Sequence, residues 1–132
     1  MARFYLVRHG ETIWNKTFRY QGQSDVPLNE EGVRQADLLA ERLKDEKITG
    51  IYASDLQRSL VTAEKVAAYH HLPVNPAPEM RELNFGIWEG YTFDEMAKEW
   101  PEELKQWRKS PFTVSPPEGE TLKELRERIC DF

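Results

Sequence analysis

Phe4-Tyr5-Leu6-Val7 opens the chain with an unbroken apolar run, the pattern of a short strand covered on both faces of a parallel sheet. Polarity then jumps at Arg8-His9-Gly10-Glu11-Thr12, where Gly10 permits a sharp turn. Beyond a loop through Pro27, Asn29 is placed to cap a helix with Glu30 and Glu31 in its first turn. Val33, Ala36, Leu39, Ala40 and Leu43 follow at helical spacing. Residues Ile48 to Ala53 read as a second strand. Ser54 or Asp55 caps the next helix, with Leu56, Leu60, Ala63 and Ala67 on its apolar face. Leu72-Pro73-Val74 is a short third strand near an edge, because proline cannot donate to a ladder. This alternation predicts an α/β fold with a mostly parallel sheet and right-handed crossovers.

The second half of the chain loses the alternation. Thr92 and Glu95 form a capping box ahead of Phe93, Met96, Ala97 and Trp100. Pro101 suits the first turn of a short helix carrying Leu104 and Trp107. Ser110 to Gly119 contains three prolines and reads as loop. A further box, Thr121 to Glu124, opens a helix with Leu122, Leu125, Ile129 and Phe132 on one stripe. No stop signal follows, so the end reads as a truncation. Met96, Trp100, Leu104 and Trp107 suit either a substrate cap or a core, and core is the simpler expectation.

With 132 residues, one domain spanning 1–132 is expected, with 76–120 as a cap-like insert. The single cysteine, Cys130, rules out an internal disulfide and gives no zinc pattern. That usage, with no leader-like N-terminus and no long apolar stretch, points to the cytoplasm. The formal net charge of −5 argues against a nucleic-acid binder, and no helix has the basic amphipathic pattern of a membrane binder. An anionic substrate would therefore need a local cationic pocket.

Candidate chemistry lies where the first two strands end. Ligands of open parallel sheets sit beyond the carboxyl ends of strands, and Arg8-His9 follows one such end. Arg58 falls in the first turn of the helix after the second strand, so it shares that edge. An arginine at a helix N-terminus is unfavourable unless an anion is near; the alternatives are a solvated side chain or a pair with Asp55. Glu82, taken alone, reads as a partner of Arg81. His9 and Glu11 lack a third ligand at zinc or manganese spacing, so no metal is expected.

Four segments in order resemble the histidine phosphatase superfamily, which includes phosphoglycerate mutases and many phosphatases. They are Arg8-His9-Gly10-Glu11-Thr12 with Asn15 and Gln21-Gly22; Ser54 to Ser59 with Thr62-Ala63; Arg81 to Gly86 with Trp88-Glu89-Gly90; and Pro117-Glu118-Gly119-Glu120-Thr121. The resemblance implies a three-layer α/β/α sandwich of phosphoglycerate mutase type, incomplete at its C-terminus. It implies that His9 takes the phosphoryl group, that Arg8 and Arg58 clamp its oxygens, and that Glu82 is the general acid and then base. Asn15 would contact phosphate, and Gln21 with Gly22 would border the substrate.

The family's second catalytic histidine has no counterpart here. His70 and His71 end the helix that bears Arg58, on the opposite edge of the sheet. The implied activity is metal-independent hydrolysis of a phosphomonoester without cofactor. The segment from Phe85 through Thr92, with Trp100 to Glu103, is similar to α-ribazole-phosphate phosphatases of cobalamin biosynthesis and to broad-specificity phosphatases. A phosphoglycerate mutase is the enzymatic alternative. A phosphate-binding, weakly active or inactive fragment is the alternative of another class. The expected partner is a small phosphorylated metabolite, with no nucleic acid or membrane; homo-oligomer formation is left open.

Overall fold

The structure, a computed structural model, describes residues 1–132. It is an α/β fold with a small parallel sheet and six helices. In chain order these are α1 (Ile13–Lys16), α2 (Glu30–Leu43), β1 (Ile51–Ala53), α3 (Gln57–His70), β2 (Val74–Pro76), α4 (Phe93–Glu99), α5 (Pro101–Lys109) and α6 (Leu122–Cys130). Single 3-10 turns occupy Pro78–Met80 and Gly86–Trp88. No helix is long and apolar enough to cross a membrane.

β1 and β2 pair in parallel, with Ile51 opposite Val74 and Ala53 opposite Pro76. The third strand thus begins at Val74, after the proline at 73, and runs two residues further than its apolar signal suggested. Its own proline, Pro76, ends the strand, where a missing donor costs least. The Phe4–Val7 strand does not join this sheet: the run makes no backbone-to-backbone hydrogen bond. Phe4 and Leu6 are 82% and 93% exposed. An apolar run states a preference for a covered strand, but the neighbours that pair it must come from elsewhere in the fold.

Helix ends follow the sequence closely, with one exception. The boxes at Thr92 and Thr121 close, each threonine accepting from the amide three residues on, and Asn29 accepts from the Gly32 amide. A further box, not among those expected from the sequence, forms at Thr12. For α3, however, neither Ser54 nor Asp55 is the cap. The N-cap position is Leu56, and the Gln57 amide donates to Asp25 Oδ1 at 2.8 Å while the Gln57 side chain donates to Asp25 Oδ2. A cap supplied from a distant loop leaves no trace in the local sequence.

Two apolar clusters form the interior. Ala40, Leu43 and Val66 join α2 to α3, with Leu39, Ile48 and Ile51 against them. Trp88, Met96 and Leu104 form the second, surrounded by Tyr20, Phe85, Trp100 and Trp107. The tryptophan stripe of α4 and α5 is therefore core. The predicted α6 stripe is only partly covered: Ile129 and Phe132 remain exposed, although the Phe132 ring meets Tyr52 edge-on.

One close approach fixes the loop after Val7. A Cβ added at Gly32 would lie 2.0 Å from the Glu11 carbonyl oxygen, and one at Gly10 would lie 2.4 Å from the Gly32 carbonyl oxygen. Alanine normally stabilises a helix interior by about 1 kcal/mol over glycine. Gly32→Ala is expected to do the reverse, lowering stability by about 1–3 kcal/mol through overpacking. Urea unfolding checks the sign.

Candidate active site

The site is built on the junction between the Arg8–Thr12 loop and the N-terminus of α3. Thr62 makes that junction. Its hydroxyl accepts from the Gly10 amide at 3.1 Å and donates to the Arg58 carbonyl, one helical turn back, at 2.7 Å. The loop carrying His9 is thereby tied to the turn carrying Arg58.

His9 is half-buried, and its Nδ1 lies 2.6 Å from the Gly10 carbonyl oxygen. A carbonyl can only accept, so Nδ1 carries the proton of the neutral ring, and Nε2 is left with its lone pair. Burial holds the imidazole below its ordinary pKa, and the positive charges of Arg58 and Arg8 push in the same direction; the Gly10 hydrogen bond and Glu82 oppose them. His9, Arg58, Arg8 and Glu82 thus share one electrostatic neighbourhood. Neither sequence alternative for Arg58 holds: the side chain is buried, not solvated, and Asp55 is engaged by Arg81.

Arg58 is 2% exposed. Its Nη1 donates to the Ser24 carbonyl at 2.7 Å and its Nη2 to the Gly22 carbonyl at 2.6 Å, and no carboxylate forms an ion pair with it. Nε is buried without a partner. Burial pulls the guanidinium below its usual pKa, while the more distant charges of Glu82, Asp25 and Glu89 favour the cation. A buried cation held only by neutral carbonyls retains most of its capacity to attract an anion.

Those carbonyls are set by the loop that follows α1. Gly22 adopts a left-handed conformation, φ +53°, open to glycine at little cost. Glu89 then grips the loop, accepting from the Gln23 amide at 2.7 Å and from the Ser24 hydroxyl. A second tie runs through Tyr20, whose carbonyl accepts from the Gly90 amide at 2.8 Å and whose amide donates to the Tyr91 carbonyl at 3.0 Å. Gly22 therefore reaches the site through its carbonyl on Arg58.

Asn15 and Gln21 flank Thr12, which is fully buried. Asn15 Oδ1 accepts from the Thr12 amide and hydroxyl at 3.0 and 3.1 Å, and Gln21 Oε1 also lies within reach of that hydroxyl, at 2.5 Å. With both carbonyl ends occupied, the two NH2 groups are turned away from Thr12 and have no protein partner. Arg8 is exposed and forms no ion pair. Glu82 is exposed, and its Oε1 accepts from the Leu83 amide at 2.7 Å.

Arg81 does not pair with Glu82. It forms a two-pronged bridge to Asp55, Nε to Oδ1 at 2.6 Å and Nη2 to Oδ2 at 2.5 Å. That leaves both Glu82 and Arg58 without a counter-ion. His70 and His71 lie apart from this group: His70 Nε2 is 3.0 Å from the Leu43 carbonyl at the end of α2, and His71 is the left-handed cap of α3. Sequence reasoning gave no role to Asp25, Thr62 or Glu89. Only Thr62 left a local signal, since it stands four residues after Arg58, within reach of its carbonyl.

Known proteins share this arrangement of segments. A sequence model of the histidine phosphatase superfamily (branch 1) matches residues 4–132. The chain is 45% identical over 133 residues to the "Probable phosphoglycerate mutase GpmB" of Yersinia pestis, covering 98% of this chain and 60% of that protein. It thus spans about 60% of the length of the curated relatives it matches. Among solved structures, the α-ribazole phosphatase of Shigella flexneri superposes with a TM-score of 0.89 at 32% identity, covering 96% of this chain and 62% of that one. A mycobacterial glucosyl-3-phosphoglycerate phosphatase with bound VO3 gives 0.83 at 33% identity, covering 91% and 57%.

The His9 environment makes a pH prediction. The folded ring binds its proton less tightly than the unfolded one, whose pKa is near 6.5. Between the folded value and 6.5 the unfolded chain binds more protons, so stability falls as pH drops through that window and levels off below it. In an NMR titration the His9 ring is expected to titrate below 6.5. The pH dependence of the urea midpoint should flatten in His9→Gln across the same window.

Proposed function

The chain belongs to the histidine phosphatase superfamily, and on that premise we propose that it cleaves a small phosphomonoester through a phosphohistidine on His9. The observation that carries this reading is the buried Arg58 guanidinium, free of any carboxylate, beside a neutral histidine whose Nε2 lone pair is available. Phosphoryl transfer needs little more than a positioned nucleophile and charge stabilisation of the equatorial oxygens.

In the first half-reaction, His9 Nε2 attacks phosphorus while the bond from phosphorus to the ester oxygen breaks. Protonated Glu82 gives its proton to the departing alkoxide, which leaves as the alcohol. Arg58 and Arg8 hold the oxygens of the transferring group, for which the planar guanidinium fork is suited. The NH2 groups of Asn15 and Gln21 add neutral donors, and Gly22 positions Arg58. In the second half-reaction, the Glu82 carboxylate takes a proton from water as its oxygen attacks phosphorus. The bond from phosphorus to Nε2 breaks, and inorganic phosphate departs. No step calls on a metal or an organic cofactor.

The substrate is a small phosphorylated metabolite taken up in a cytoplasmic setting, with residues 76–120 serving as a cap-like insert beside it. The likeness to α-ribazole phosphatase makes α-ribazole-5′-phosphate one candidate, in cobalamin biosynthesis; a broad-specificity phosphatase is consistent with the same residues. The 45% identity to the Yersinia protein supports a second reading, a phosphoglycerate mutase, in which His9 returns the phosphoryl group to another hydroxyl. With 3-phosphoglycerate, a phosphatase releases inorganic phosphate, whereas a mutase gives 2-phosphoglycerate; 31P NMR separates them.

Incubation with p-nitrophenyl phosphate followed by rapid quenching is expected to leave acid-labile phosphate on His9, and none on His9→Ala. Arg58→Met should weaken inorganic phosphate binding about 10- to 100-fold, as expected for a lost charged hydrogen-bonding partner. Labelling that survives His9→Ala would remove the reading.

A further inference from the structure

The motif Pro117-Glu118-Gly119-Glu120-Thr121 and helix α6 take no part in the chemistry above, yet Glu120 and Arg128 converge on the backbone around Glu82. Arg128, in the last turn of α6, reaches back over the segment before the acid. Its Nη1 donates to the Glu79 carbonyl at 2.6 Å and to the Arg81 carbonyl at 2.8 Å, and its Nη2 to the Glu82 carbonyl at 3.3 Å. Glu120 holds the guanidinium in that orientation from the other side. Its Oε1 accepts from Nη2 at 2.5 Å and its Oε2 from Nε at 3.4 Å. Both side chains are largely buried, 22% and 16% exposed.

Glu120 also fixes the chain just after the acid. Its Oε1 accepts from the Asn84 amide at 2.9 Å, and its own amide donates to the Asn84 carbonyl at 2.9 Å. The backbone is therefore held at 79, 81 and 82 by Arg128, and at 84 by Glu120. The Asp55 bridge to Arg81 braces the same stretch from α3's side. The Glu82 carboxylate itself has only the Leu83 amide as a partner, so its location depends on how well its main chain is fixed. Catalytic groups work only when held to within fractions of an ångström by such surroundings.

We propose that Arg128 and Glu120 are positioning residues that aim the Glu82 carboxyl at the leaving-group oxygen. The proposal rests on the reading of Glu82 as general acid. A lysine at 128 keeps the charge but lacks the fork that serves three carbonyls and a carboxylate together.

The test uses the sensitivity of acid catalysis to the leaving group. A good leaving group such as p-nitrophenolate needs little protonation, whereas an alkoxide depends on it. First-turnover release of the alcohol or phenol is measured for an alkyl phosphate and for p-nitrophenyl phosphate, with thermal unfolding of each variant alongside. Arg128→Lys is expected to slow release from the alkyl ester about 10- to 100-fold, part of the roughly 100- to 10,000-fold a general acid contributes, and to leave p-nitrophenyl phosphate within about 3-fold. Glu120→Gln, which preserves side-chain volume, should act in the same direction and less strongly, and it serves if Arg128→Lys does not fold. Equal slowing of both esters marks a purely structural role and overturns the proposal, as does no slowing of either. Glu82→Gln supplies the reference. If it discriminates between the esters and the Arg128 and Glu120 variants do not, only the positioning role fails. If it does not discriminate, the general-acid reading fails and the positioning role with it.

Discussion

A buried arginine without a carboxylate is the constraint on which the site depends. Removing a guanidinium from water is costly, and the usual remedy is a paired anion from the protein. Arg58 has neutral carbonyls instead, from Gly22 and Ser24. Everything that fixes those two oxygens therefore serves the site: the left-handed turn at Gly22, the Glu89 grip on Gln23 and Ser24, and the Asp25 cap that ties the same loop to α3. Thr62 then couples the arginine's own backbone to the His9 loop. A cation seated this way is stabilised further by any anion that enters beside it.

The carboxylates are distributed to keep that seat open. Asp55, the nearest acid in sequence to Arg58, is drawn off by Arg81; Asp25 is occupied at the end of α3; Glu89 is spent on the loop. Only Glu82 faces the cationic group with no partner beyond the neighbouring Leu83 amide, and it is held through its main chain. This separation of roles lets one small site combine a histidine held below its ordinary pKa, guanidinium groups without a carboxylate and a carboxyl without a counter-ion. It also meets the difficulty posed by a net charge of −5, since the positive charges of Arg58 and Arg8 both act on His9.

Much of this was legible in the sequence. Two threonine caps, at Thr92 and Thr121, and the Asn29 cap marked helix starts, because each bonds within three residues of itself. The α2 periodicity marked the face that packs on α3. Arg8, His9 and Arg58 were expected on one edge from strand–helix geometry, but the first strand that argument used does not join the sheet, and it is Thr62 that ties the His9 loop to α3. What the sequence hid were contacts between distant segments. Asp25 capping α3, Glu89 holding Gln23 and Arg128 reaching Glu79 span 32, 66 and 49 residues respectively. The Phe4–Val7 run was misread for a related reason: its composition declares a strand, but strand pairing is a property of neighbours. The fourth motif was visible as a resemblance, and only its contacts suggest a purpose for it.

The most direct measurement is a crystal structure of the chain with vanadate, an oxyanion of phosphate-like charge and shape. The ion is expected against His9 Nε2, with Arg58 and Arg8 on its oxygens and Glu82 on the face away from the histidine. Vanadate bound elsewhere, or a guanidinium of Arg58 turned to a carboxylate of the protein, would contradict the open anion seat from which the function is drawn.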